Sequence, residues 1–355
     1  MVLTNKKQIN GYVLEEVVSF LIRNSGYKVL TPSSSGDDPD LRVNGNDIRV
    51  LGRGSTHQVD VLGELDISLA FTFPLRIFVE AKCYENKKMG LNIIRNAVGT
   101  ILDVNQNYFP RIEEKPRIKY HYSYVIFSTS GFSRWAINMA AAHQISIVDF
   151  STQPYQDLVS AIDGFSAYVV NKSEIDNVHM LRLMIRGLLR EKDNNYLPPL
   201  NKPEYSLSSE MGAISLEDKY RVEFNNILNI FDNNFGSLFL GVSYGPYLLV
   251  LKADNPSKFL EYMRQNPIHF VNIHFIKRER KYWYIEPAQN EGAYRLYFSL
   301  PEELGHWIFH SEEKRLQRAN KIKSSIFSKL TILYRDEGVN GRLIVGELKY
   351  SAPSD

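Results

Sequence analysis

Residues 53–84 read RGSTHQVDVLGELDISLAFTFPLRIFVEAKCY, and two β-rich runs within them decide the fold. Residues 57–65 and 75–84 carry the β-branched and aromatic side chains of strands, with turn material between them. Successive strand side chains point to opposite faces. Ile77, Val79, Ala81 and Cys83 therefore share an apolar face, while Phe78, Glu80, Lys82 and Tyr84 share the other. In the preceding run Val59 and Val61 fall on one face, and Gln58, Asp60 and Leu62 on the other. If the two strands pair, Asp60, Glu80 and Lys82 converge on one point.

Outward from this pair, helices and strands alternate. Ile9, Val13, Val17, Phe20 and Leu21 recur at helical spacing over residues 8–24, and Gly26 is placed to stop that helix. Short strands are expected at 27–30 and 47–51, either side of a Ser-, Gly- and Asp-rich loop at 32–40. Then come a helix at 92–105, a strand at 120–128, a helix at 133–143 and a buried strand at 145–150. This alternation predicts an α/β layer architecture, a mixed sheet flanked by helices. An amphipathic helix at 173–192 closes a first domain, residues 1–192, and a polar stretch with Pro198, Pro199 and Pro203 reads as a linker over 193–205. Residues 206–355 read as an α+β domain, with a hairpin around Gly245-Pro246, a helix near 256–265, strands near 270–275 and 282–285, helices at 301–309 and 312–324, and two closing strands around 336–341.

Composition bounds the function. A chain of 355 residues suggests two domains with sizeable cores. The 42 Lys and Arg against 40 Asp and Glu leave a net charge of +2, so a polyanion site has to be a local patch. The single cysteine excludes an intrachain disulfide, and with no apolar run near the start and no stretch of about 18 apolar residues, a cytoplasmic protein without a membrane span is expected.

Two carboxylates and an ammonium at one point suit a divalent metal and a phosphodiester. Mg²⁺ takes hard oxygen ligands, commonly one or two carboxylates completed by water and phosphate oxygens. It lowers the pKa of a bound water and stabilises charge on the transferring phosphate. A neighbouring lysine orients that water or neutralises developing charge. Without a cation, clustered carboxylates repel and at least one pKa rises.

At this point the sequence resembles the Mrr-like branch of the PD-(D/E)XK restriction-endonuclease superfamily. The motif pair is Asp60 followed by Glu80-Ala81-Lys82. Gly11-Tyr-Val-Leu-Glu15, with Gly26-Tyr27 at the helix exit, looks like the family's opening helix, and Phe127 to Phe132 with Ala136, Ala140 and Ile147-Val-Asp149 looks like its later strand–helix–strand. The resemblance covers roughly residues 8–150 and has Glu80 where the family commonly has Gln. It implies a restriction-endonuclease-like fold, Mg²⁺ (or Mn²⁺) as cofactor, and cleavage of DNA in restriction or antiviral defence. It implies Asp60, Glu80 and the Ala81 carbonyl as metal ligands, Lys82 as the residue orienting the water, and Glu15 as a helix acid near the metal. Cutting both strands calls for a dimer or higher homo-oligomer or for repeated encounters, and a partner ATPase, helicase or methyltransferase would reshape the role. A catalytically silent DNA-binding or assembly module and a repair or junction-resolving nuclease are the rival readings.

Helical geometry leaves Glu15 and Glu16 both open as the helix acid. Glu64 and Asp66 share the strand parity of Asp60, and the expectation for them is a solvated edge. Gln58, Lys87, Lys88, Arg95 and Ser130 are candidate DNA contacts, the basic ones to phosphates beside the scissile bond. Ser128, Thr129 and Ser130 otherwise cap the helix that follows. Cys83, on the apolar face, reads as a structural thiol, and Glu347-Leu-Lys349 as a solvated strand face. His306 and His310, four apart, read as core or surface histidines, because zinc needs more ligands. Lys277-Arg-Glu-Arg-Lys281 before Tyr282, Trp283 and Tyr284, and the basic run from Lys314 to Lys323, are weaker nucleic-acid patches.

Overall fold

The computed structural model describes residues 5–32, 38–44, 47–67, 72–84, 87–107, 118–172, 181–182, 185, 237–243, 248–276, 282–300, 327–336 and 342–350. The first half is built on a five-stranded mixed sheet. Its strands are β1 (Tyr27–Val29), β5 (Val61–Leu65), β6 (Leu75–Lys82), β7 (His121–Ser128) and β8 (Ser146–Asp149), in that spatial order. The β1–β5 and β5–β6 pairs are antiparallel, while β6–β7 and β7–β8 are parallel. A second, three-stranded sheet joins β2 (Leu41–Asn44), β3 (Asp47–Leu51) and β4 (Thr56–Val59).

Helices cover both faces. On one lies α1 (Lys6–Asn24) with α4 (Gln156–Lys172), packed on Val61, Ile77, Val79, Ala81 and Phe127. On the other lie α2 (Leu91–Asn105) and α3 (Arg134–Ala142), packed on Leu62, Phe78, Tyr124 and Ile126. Asn5 caps α1 by accepting from the Lys7 N–H, and Gly26, at φ +88°, ends it in the left-handed region where a Cβ is costly. Gly63 lets α1 settle on the sheet: a Cβ there would come within 3 Å of both Ile77 and Ile22.

The second half, among the described residues, is a closed barrel of seven strands. The strands are β9 (Leu238–Ser243), β10 (Leu248–Ala253), β11 (Ile268–Ile276), β12 (Tyr282–Pro287), β13 (Leu296–Phe298), β14 (Leu330–Asp336) and β15 (Arg342–Tyr350). The ring runs β10-β13-β12-β11-β15-β14-β9. Helix α5 (Pro256–Gln265) sends Phe259 and Met263 into the same core as Trp283, Ile285, Phe298 and Leu348. Among the described residues the expected α+β half is this barrel with one helix. The hairpin and the helix at 256–265 are found where the pattern puts them. The linker at 193–205, the helices expected at 301–324, His306, His310, the Lys277–Lys281 run and the basic run from Lys314 lie outside the described residues.

The two halves share apolar packing. Leu238, Leu240 and Val250 belong to the same buried cluster as α1 and α4. The Tyr155 hydroxyl donates to the Val250 carbonyl, and Arg335 reaches the Arg23 carbonyl and Asp66. This explains why α1 is apolar most of the way round: sheet, α4 and barrel enclose it.

Candidate functional site

The site forms where the chain passes from β4 of the three-stranded sheet into β5 of the main sheet. The chain bends at Asp60, between β4 and β5, so strand alternation does not run through it. Val59 packs with Leu62 and Phe78 under α2, whereas Val61 packs with Val79 under α1. The expectation that Val59 and Val61 share a face is corrected by this bend. Asp60 nevertheless stays in register: its N–H donates to the Val79 carbonyl, one step beyond the Val61↔Val79 pair, which sets it opposite Glu80.

From there the Asp60 carboxylate reaches the end of β6. Oδ2 accepts from the Ala81 N–H at 2.8 Å and lies 3.7 Å from Lys82 Nζ. Lys82 Nζ lies 3.0 Å from Glu80 Oε1, and the Tyr124 hydroxyl donates to Glu80 Oε2 at 2.8 Å. Asp60, Glu80, Ala81 and Lys82 thus meet at one point. Burial holds the Asp60 carboxyl above its usual range, with Lys82 as the largest opposing influence. The Asp60 and Glu80 charges raise the Lys82 pKa despite desolvation, so the ammonium stays protonated at neutral pH. Burial raises the Tyr124 phenol far above its normal range and keeps it a donor to Glu80.

Asp60 Oδ1 has no partner among the described residues, while Oδ2 is committed. In a strand, one residue's N–H and C=O point to the same side, so Ala81 turns its carbonyl toward Asp60 as well. No group of three or more His, Cys, Asp or Glu side chains is close enough to enclose a metal among the described residues. A free carboxylate oxygen, a second carboxylate and a carbonyl suit Mg²⁺, which keeps several waters, better than zinc.

A cleft of about 210 Å³ opens beside Asp60, walled by Tyr12, Glu15, Glu16, Gln58 and Arg182 among others; Glu80 and Lys82 are not part of its wall. Glu15 and Glu16 both face it. Arg182 forms an ion pair with Glu15, lies 3.7 Å from Glu16 and sits over the Tyr12 ring. Glu16 is the more buried of the two acids, at 3% exposed.

The remaining candidates divide. Gln58 is in the cleft wall. Lys87, Lys88 and Arg95 are exposed along the run from β6 into α2, away from the cleft. Ser130 donates to the Lys87 carbonyl at 2.8 Å, and the cap of α3 is Ser133, not Ser128 to Ser130. Glu64 is no solvated edge: it pairs with the buried Arg76 at 2.8 Å, together with Asp38. Asp66 pairs with Arg335. Cys83 is partly buried against the α1 core, with the Thr129 hydroxyl 3.4 Å from Sγ. His57 sits 2.7 Å from Asp103, outside the cleft wall. Glu347 pairs with Lys329 on the outer barrel face. Sequence reasoning missed Tyr124 and Arg182. Tyr124 was accessible, since its strand alternation puts it beside Phe78 and Glu80; Arg182 had no comparable signal.

No family model and no curated protein matches the chain. The chain is similar to a solved structure of a protein of unknown function, AF1548, with a TM-score of 0.36 and 17% identity, covering 61% of this chain and 98% of that one.

Proposed function

We propose that the protein is a divalent-metal-dependent DNA endonuclease with a restriction-endonuclease-like first half, acting in restriction of invading DNA. The observation that carries the reading is the meeting of Asp60, Glu80 and Lys82 at the end of β6, with the Ala81 N–H fixing Asp60. The antiparallel β5–β6 pair followed by the parallel β7, with α1 on one face and α2 on the other, agrees with it.

Asp60 Oδ1, Glu80 and the Ala81 carbonyl would hold Mg²⁺ or Mn²⁺. When bound, the metal supplies charge stabilisation to the phosphate and a more acidic water. Lys82 is protonated, so it donates hydrogen bonds to the attacking water or a phosphate oxygen and does not act as a base. Asp60 and Glu80 aim its ammonium, and Tyr124 fixes Glu80 in turn. Catalysis by these residues is positional and electrostatic, as phosphoryl transfer requires.

The test is nicking of supercoiled plasmid with Mg²⁺ or Mn²⁺, against EDTA and the Lys82→Ala variant. Metal-dependent nicking lost in the variant is expected. Equal nicking by both proteins would remove the assignment, and no nicking by either would favour a silent DNA-binding module. Methylated, unmodified and branched DNA compared as substrates separate restriction from repair. Mass photometry with and without DNA tests the expected homo-oligomer.

A further inference from the structure

Beyond β6 the chain runs along the loop after β7. The Lys82 carbonyl accepts from the Thr129 N–H, the Thr129 hydroxyl donates to the Tyr84 carbonyl, and Met89 bridges to the loop through its N–H to Gly131 and its carbonyl from Ser133. These contacts bring Lys87 and Lys88 alongside the start of α3. Trp135, in the first turn of α3, is 71% exposed, the most exposed of the large apolar side chains described. The other described tryptophan, Trp283, is 3% exposed inside the barrel. The indole therefore offers a flat aromatic face to solvent beside the two lysines. Lys87, Lys88 and Arg95 are exposed too, and none has an acidic partner among the described residues.

We propose that Trp135, Lys87, Lys88 and Arg95 form a binding strip for single-stranded DNA, in which the indole stacks on an unpaired base while the three cations follow the phosphates. Exposed positive charge beside an exposed aromatic ring matches the chemistry of an unpaired strand, which offers a phosphate line and bare base faces. An intact duplex offers the phosphates without the faces. This rests on DNA being the ligand of the neighbouring site and adds that substrates with unpaired segments are preferred.

The test uses the full chain in EDTA, so that binding is read without cleavage. Fluorescein-labelled single-stranded, duplex and bubble oligonucleotides are titrated by anisotropy. The wild type is expected to bind single-stranded and bubble DNA more tightly than duplex. Trp135→Ala is expected to weaken single-strand binding roughly tenfold, with Trp135→Phe retaining most of it and duplex binding changed less than twofold. Single-stranded DNA is expected to quench tryptophan fluorescence in the wild type and not in Trp135→Phe. Lys87→Gln with Lys88→Gln is expected to weaken both forms and lower the salt slope by roughly 1.4 for single-stranded and roughly 1.8 for duplex DNA. Wild-type binding blind to strandedness, or Trp135→Ala acting equally on duplex and single strand or on neither, would overturn the proposal. The outcome is separable from the nuclease test: a strip without nicking leaves this inference standing alone, and nicking without a Trp135 effect leaves only the nuclease reading.

Discussion

Lys82→Met keeps the length and apolar stem of the side chain and deletes its charge. The ammonium lies 3.0 Å from Glu80 and 3.7 Å from Asp60. At an effective dielectric near 20, each contact is worth roughly 5 kcal/mol of gross attraction, most of it offset by desolvation. The three side chains are 18–26% exposed. The net cost therefore falls between the ~0–1 kcal/mol of an exposed pair and the ~3–5 kcal/mol of a broken buried one, or about 2 kcal/mol. The loss depends on pH with a definite sign. Asp60 is already raised by burial, and removing its strongest opposing charge raises it further. The folded variant then holds a proton that the unfolded chain releases, so the loss is greatest where Asp60 is ionised and shrinks as pH falls through its raised pKa. It also shrinks above about pH 10.5, where unfolded lysine is neutral and the benefit of the raised Lys82 pKa is lost. A cation can replace the missing ammonium. With about 10 mM Mg²⁺ and a Kd of about 1 mM, the variant regains about 1.4 kcal/mol. Urea unfolding followed by circular dichroism, near pH 8 and pH 5, in EDTA and in Mg²⁺, reads all of this. A variant as stable as wild type in EDTA near pH 8 refutes the electrostatic reasoning, and a failure of Mg²⁺ to stabilise either protein refutes the idea that these carboxylates form a cation site.

Tyr124→Phe removes the donor to Glu80 Oε2, and a stability loss of about 1.5–3 kcal/mol is expected by urea titration, together with slower nicking. Arg182→Gln leaves the buried Glu16 and its neighbour Glu15 without their cation; a loss of about 2 kcal/mol is expected, and Glu16→Gln in the same background should recover more of it than Glu15→Gln. Arg76→Met, deep in the first half beneath the Tyr120 ring, abandons Asp38 and Glu64 and is expected to cost about 3–5 kcal/mol, with no change in the metal requirement of nicking by the protein that remains folded.

Local alternation made β6 legible: Glu80 and Lys82 fall on one face because nothing interrupts the strand between them. The same reasoning failed at Asp60, where a bend moves the chain from one sheet to another and resets the parity, leaving Val59 and Val61 in different cores. Asp60 still reaches its partners because the bend sits one register step beyond the ladder. Glu64 was misread for a different reason: its partner Arg76 is a charge inside an apolar run, and nothing in the sequence fixes which acid accompanies it. Most of the barrel strands were readable, though not the short β13, and their closure was not. It depends on β9 meeting β14 and β11 meeting β15 across long intervals of chain, and such pairing leaves no local pattern.

The apolar seam between α1 and the barrel has a practical outcome for anyone dividing this protein. A fragment ending before residue 237 would bare the flanks of α1 and α4 that Leu238, Leu240 and Val250 now shield. Such a piece would be expected to clump, so its inactivity would testify to lost solubility and not to the chemistry of Asp60 and its neighbours.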